Sequence, residues 1–181
     1  MLSGDKVGLR AIERDDLPAI HRWMNDPGLW SLQGGRPRML PEEASERWYE
    51  VELDKSDPFE GRTLAICGID GAILGTITYG RVDQVDRACE IGLYLGESEN
   101  RNRGLGTAAI RLAVEYFFDQ LGLNRVWLQV HPDNAPALRC YEKAGFVREG
   151  VLRQSRFFDG RFHDFVVMSV LADEWKGGLP G

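Results

Sequence analysis

From Arg101 to Thr107 the chain reads RNRGLGT, two arginines and two glycines directly ahead of the amphipathic run AAIRLAVEYFF. Glycine lets a ligand approach the backbone, and arginine pairs with oxyanions. A helix N-terminus adds unsatisfied N–H groups and the positive end of its dipole. These residue types in this order make an anion site, with phosphate as the commonest guest. GLGTAA on its own matches the dinucleotide-binding pattern G-x-G-x-x-A. Its context does not, because seven residues (97–103) separate Gly104 from the strand-like CEIGLYLG. The neighbourhood about twenty residues further on, where an acid should hold a ribose, reads NRVWLQV. A Walker A loop is excluded because no Gly-Lys-Ser/Thr is present.

Such a loop needs elements to hold it. VGLRAI reads as an opening strand, LPAIHRWMND and PEEASERWYEVEL as helices, and the Gly/Pro-rich GLWSLQGGRPRML between them as a loop. RTLAICGI, AILGTITYGRV and CEIGLYL then form an antiparallel meander with tight turns. In the next helix Leu105, Ala108, Ala109, Leu112, Ala113, Tyr116 and Phe117 recur at helical spacing. RVWLQV is a strand, NAPALRCYEKAG a short helix, and FVREGVLRQSRFFDGRFHDFVVMSVL a last hairpin around Asp159-Gly160. The fold class is α+β, and residues 1–181 read as one domain with a frayed tail from about 176.

Composition narrows the function. A net charge of −6 argues against general nucleic-acid binding, which leans on basic surfaces. The start MLSGDKVGLRAIERDD has no signal-peptide core, and the apolar FVVMSVLA is too short to span a bilayer, so no membrane partner and a cytoplasmic location are expected. Cys67, Cys89 and Cys140 are widely spaced and read as reduced thiols. No His/Cys/carboxylate cluster has metal-ligand spacing, so no metal is expected.

Two motifs then coincide. Arg101, Gly104 and Gly106 fit R/Q-x-x-G-x-G/A, and Asn134, Ala137, Tyr141, Lys143, Gly145 and Phe146 fit N-x-x-A-x-x-x-Y-x-K-x-G-F. With both on suitable elements, the chain resembles the GNAT acetyltransferase superfamily, and the order of elements from Val7 to Trp175 is similar. The segments LRAIERDDLPAIHRWMND and GVLRQSRFFDGRFHDFVVMSVLADEW resemble the branch holding ribosomal-protein alanine acetyltransferases. That branch also contains polyamine, amino-sugar and antibiotic acetyltransferases.

The resemblance implies a mostly antiparallel mixed sheet flanked by helices, with a splayed parallel strand pair that holds acetyl-CoA. The activity implied is acetyl transfer to a primary amine in a ternary complex. Backbone around Arg103, Gly104, Leu105, Gly106 and Thr107 would hold the pyrophosphate, with Arg101 or Arg103 pairing to its oxygens. Leu93, Tyr94 and Leu95 would line the pantetheine arm, with Asn134 and Ala137 at the start of the short helix. Tyr141 is the candidate general acid toward the leaving sulfur, against the alternative of a core aromatic. Glu90 is the candidate general base, against the alternative of a solvated strand-end carboxylate. His131 reads as a strand terminus and His163 as a surface residue, against the alternative of facing an acceptor pocket, while Trp23, Trp30, Trp48, Phe157 and Phe158 are candidates for that pocket's wall. A homodimer fits the resemblance, and a non-catalytic CoA-binding module is the competing function.

Overall fold

Alternation of inward and outward residues builds the strands, and the computed structural model describes residues 1–33, 35 and 39–176. The eight strands are β1 (Leu2–Ser3), β2 (Gly8–Ala11), β3 (Arg62–Cys67), β4 (Ile73–Asp83), β5 (Ala88–Leu95), β6 (Arg125–Val130), β7 (Val147–Phe158) and β8 (Arg161–Leu171). They form one sheet in the order β1-β2-β3-β4-β5-β6-β8-β7. Every neighbouring pair is antiparallel except β5 and β6.

That parallel pair is brief. Ala88, Cys89 and Glu90 face Arg125, Val126 and Trp127, and the register ends there. On its other side β5 stays paired with β4 as far as Leu95 opposite Gly75. Beyond Glu90, β6 is paired with β8 alone, out to Val130 opposite Val166. The sheet therefore opens into a notch between Ile91–Leu95 and the end of β6. Exposed strand edges of this kind are places where an extended guest can pair.

Helices close both faces. On one lies α4 (Leu105–Asp119) with α5 (Ala135–Lys143), and Ala109, Ile110, Val114 and Phe117 pack fully buried against Ile66, Ile77, Val126, Leu128 and Met168. The buried stripe of α4 runs through Ala109-Ile110, Ala113-Val114 and Phe117-Phe118. Leu105, Ala108, Leu112 and Tyr116, expected to share that stripe, flank it half-buried. So apolar a helix leaves its exact rotation to the partners it meets, here the sheet on one side and α5 on the other.

On the opposite face lie α1 (Leu17–Met24), α2 (Pro27–Gln33) and α3 (Glu42–Asp54), with Leu17, Ile20, Trp23 and Leu29 packed on Ala65 and Cys67. Helix α2 occupies the start of the stretch expected to be a loop. Pro27 ends one helix and opens the next, because proline is tolerated at a first helical position where its missing N–H costs nothing. The remainder of that stretch, and the expected frayed tail beyond Lys176, lie outside the described residues. The short α6 (Ala172–Lys176) follows β8.

One close approach joins α1 to the end of β5. The ring of Trp23 lies over Gly96, and a Cβ there would overlap the indole. Trp23 Nε1 donates to Glu97 at 3.0 Å, and Arg22 pairs with the same carboxylate. Gly96→Ala is therefore expected to lower stability by about 1–3 kcal/mol through overpacking, read as the urea midpoint. Gly150→Ala, where no atom lies within 4 Å of the new Cβ, should stay within about 0.5 kcal/mol. Equal effects at the two positions would rule out the proposed role of the Trp23 contact.

Candidate active site

At the mouth of the notch the chain turns into α4 through Gly104, whose φ of +78° is left-handed. A side chain would strain that backbone, which is why glycine begins the helix. Ala108 N–H donates to Gly104 O at 3.0 Å, so the first N–H groups, of Leu105, Gly106 and Thr107, have no carbonyl within the helix. Gly104 supplies no capping side chain. The Arg101 guanidinium donates to Gly96 O at 2.9 Å, folding the loop back on the end of β5. Arg103 is exposed. A groove of about 690 Å³ continues from Gly104 along Thr107 and Ala108, with Lys6, Arg111 and Lys143 among its cations and Asp5, Glu115 and Glu142 among its acids. Lys6 and Arg111 were not apparent as site residues from the sequence, since both sit in patterns typical of solvated surface.

The second motif packs against the first. Thr107 Oγ1 lies 3.4 Å from Cys140 Sγ, and Leu93 lies close to Gly106. Asn134 caps α5 by accepting from Ala137 N–H at 3.2 Å. Tyr141, one turn on, is buried with its ring 5.8 Å from Phe146, and it lines the cleft described next. Burial pushes the Tyr141 phenol well above its usual range, so it keeps its proton. Burial likewise raises the thiol of Cys140, leaving it a protonated, unreactive group.

A cleft of about 540 Å³ lies on the opposite side of the notch, under α1, α2 and α3. Strand alternation aims Glu90, Gly92 and Tyr94 into it, while Cys89 and Ile91 point to the core. Glu90 and Tyr141 both line this cleft, together with Asn134 and Ala137. Glu90 Oε2 is 3.2 Å from Arg81 Nε. Tyr94 meets the edge of Trp23, with ring centroids 6.1 Å apart. Trp30 and Trp48 belong to the wall, whereas Trp23 is core, Phe158 is buried and Phe157 is exposed.

The far wall contains Gln129, Val130, His131 and Arg156, of which Gln129 and Arg156 carried no signal in the sequence. His131 accepts from Asp133 N–H on Nδ1 at 3.2 Å, which puts its proton on Nε2, 3.1 Å from His163 Nδ1. His163 in turn carries its proton on Nε2 and donates to Phe158 O at 3.2 Å. Two neutral imidazoles thus link the end of β6 to the last hairpin. His163, expected at the surface, is buried and stacks on Phe158 with centroids 3.7 Å apart. Arg156 stands beside them, its guanidinium 4.3 Å from the centroid of Phe165 and donating to Gln129 Oε1 at 3.4 Å. Among the described residues no His/Cys/Asp/Glu group could hold a metal ion, and no helix is long and apolar enough to cross a membrane.

Comparison with known proteins bears directly on this geometry. Residues 6–147 match the acetyltransferase (GNAT) domain. The chain is 37% identical over 108 residues to a candidate ribosomal N-acetyltransferase of Bacillus subtilis, a match spanning 60% of this chain and 58% of that protein. It is 27% identical over 170 residues to the spermidine N(1)-acetyltransferase of Vibrio cholerae, spanning 94% and 95% of the two chains. Among solved structures, the spermidine N-acetyltransferase of Vibrio cholerae in complex with CoA and spermine superposes with a TM-score of 0.86 at 25% identity, covering 96% of this chain and 99% of that one.

His131 gives the site a pH signature. Burial, with smaller contributions from His163 and Arg161, holds His131 below its usual pKa despite the opposing pull of Asp133. The folded state thus favours neutral His131, and the stability this supplies is complete above the unfolded value of about 6.5 and lost as pH falls through the lower folded value. Urea midpoints should therefore fall between about pH 7 and pH 5, and His131→Gln should flatten part of that fall. The Glu149 carboxylate is held at about 2 chiefly by Arg125, so it titrates at lower pH and stays separate. An identical pH profile for the variant would remove His131 from the account.

Proposed function

Because the chain belongs to the GNAT acetyltransferase family, we propose that the notch between β5 and β6 holds the acetyl donor and that Glu90 and Tyr141 move the protons of the transfer. The protein is an acetyl-CoA-dependent N-acetyltransferase whose acceptor is a primary amine. The donor's fit rests on the open strand edge past Glu90, the free N–H groups of Leu105, Gly106 and Thr107, and the cation-bearing groove beyond Gly104. Acetyl-CoA, when bound, supplies an activated acyl carbon and a thiolate leaving group.

In this reading the N–H groups at the start of α4 take the pyrophosphate, helped by Arg103, while Arg101 shapes the loop through Gly96. Leu93, Tyr94 and Leu95 offer backbone to the pantetheine arm, and a β5 N–H faces the negative charge that develops on the carbonyl oxygen. Asn134 and Ala137 border the arm from α5. An alkyl ammonium of pKa about 10 costs about 4 kcal/mol to deprotonate at pH 7. A positioned base supplies roughly 10²–10⁴-fold, which is enough to matter. Glu90 takes the amine proton, directly or through water, with Arg81 fixing the carboxylate. The nitrogen lone pair forms the new N–C bond, the C–S bond breaks, and Tyr141 gives a proton to sulfur; the second N–H proton, released as the amide forms, restores Tyr141 through solvent. Its buried, protonated phenol suits a donor.

The observation that carries this reading is that the parallel strands β5 and β6 part directly after Glu90, with Tyr141 on the same cleft. A candidate ribosomal N-acetyltransferase aligns with part of the chain and spermidine acetyltransferases with nearly all of it, which supports a primary-amine acceptor and leaves the branch open. Free Cys67, Cys89 and Cys140 suit a reducing, cytoplasmic setting. A homodimer is one assembly open to it, with Val147 and Val151 exposed on edge strand β7.

Tyr141→Phe should lower kcat by about tenfold with acetyl-CoA affinity within about twofold of wild type. An unchanged kcat would remove its role. Glu90→Gln should cut kcat/KM at neutral pH by about 10²-fold while acetyl-CoA affinity stays within about twofold of wild type. An unchanged kcat/KM would reassign the base.

A further inference from the structure

The acceptor cleft has the wrong charge for a polycation. Among the described residues that line it, Glu90 is the one carboxylate, and it is already paired with Arg81 at 3.2 Å. Arg156, on the same wall, has no carboxylate within ion-pair distance among the described residues. It is half-buried, with one face against Phe165 and one hydrogen bond, to the neutral amide of Gln129. A guanidinium carries five donors in a planar fork that matches carboxylates and phosphates. Stacking on an aromatic ring holds that fork in place while its remaining donors stay free. A cleft with one neutralised carboxylate and one uncompensated guanidinium repels a second ammonium group and attracts an anion.

We propose that the acceptor is a primary amine that carries its own oxyanion, a carboxylate or a phosphate-type group, held by Arg156 while its amine faces Glu90. The proposal rests on the transfer reading above. It sets this chain apart from relatives named for spermidine, whose additional ammonium groups would meet Arg156 and Arg81. The last hairpin serves this recognition. His163 and the Leu152–Arg156 irregularity, where Gln154 adopts φ +51° and its N–H is held by Asp164 at 2.7 Å, set the register that turns Arg156 toward the cleft.

The test uses the full chain and a ladder of acceptors: ω-amino carboxylates of two to six carbons, matched ω-aminophosphonates, and matched diamines. Free-thiol release from acetyl-CoA gives kcat/KM, and calorimetry on the CoA-saturated protein gives Kd for the same amines. At a favoured length, an anionic member should exceed the diamine by about tenfold or more in both readouts. Arg156→Gln should reduce that ratio to about twofold or less, and Arg156→Lys should keep part of it. A ratio has its own folding control, because both amines report on the same sample. The better of carboxylate and phosphonate names the source of the oxyanion. Preference for diamines, or a ratio untouched by Arg156→Gln, overturns the proposal. If no amine is acetylated, calorimetry still decides. Arg156-dependent binding of anionic amines sustains the inference while the transfer reading fails, and no binding by any amine overturns it.

Discussion

The parting of two parallel strands after Glu90 is the constraint on which the rest of the molecule is arranged. Strand β5 cannot follow β6 and β4 at once, and it follows β4. Backbone groups left on the free edge need partners from outside the sheet, because an unmet buried peptide group is costly. The notch is therefore a structural demand as much as a site. It is tolerated because both flanks are braced: β6 by β8 along its full length, and β5 by β4 through Leu95.

What surrounds the notch follows from that geometry. The loop leaving β5 must turn at once into α4, and Gly104 makes the turn in a conformation other residues resist. Helix α5 enters from the other side and brings Tyr141 to the place where the strands separate. On the proposed reading, the donor side is built from main-chain groups at a helix start, and the acceptor side from side chains on strands and on α1 to α3. Backbone recognition suits a constant donor, while side chains give a surface that can be tuned to one acceptor. The neutral His131–His163 pair belongs to the tuned half, since it ties the last hairpin, and with it Arg156, to the end of β6.

The turn into α4 and the cap of α5 were legible in the sequence because they are local. Glycine spacing ahead of an amphipathic run, and Asn134 ahead of a short helix, are each written within a few residues. Period-two alternation also put Glu90, Gly92 and Tyr94 on one face. The acceptor side was much less legible, for an identifiable reason. Arg81 and Arg156 lie beside irregularities, between Gly80 and Asp83 and between Leu152 and Arg156, with Arg81 itself at φ +48°. Each irregularity breaks alternation, so counting along the strand no longer says which face a residue occupies. His163 was misread as surface for a related reason, since its burial depends on Phe158 and His131 arriving from other strands. Helix α2 was missed because Pro27 carries both a stop and a start signal, and the flanking glycines favour the first.

Trp23 ties the two chambers together. Its helix supplies Ile20 and Met24 to the wall of the cleft, while its indole bears on Gly96 and bonds to Glu97, at the threshold of the loop ahead of α4. A wall of one chamber is thus bolted to the doorway of the other. A displacement of α1 that reshaped the cleft would therefore also press on Gly96 and pull on Glu97, so the two chambers share one hinge point in the packing.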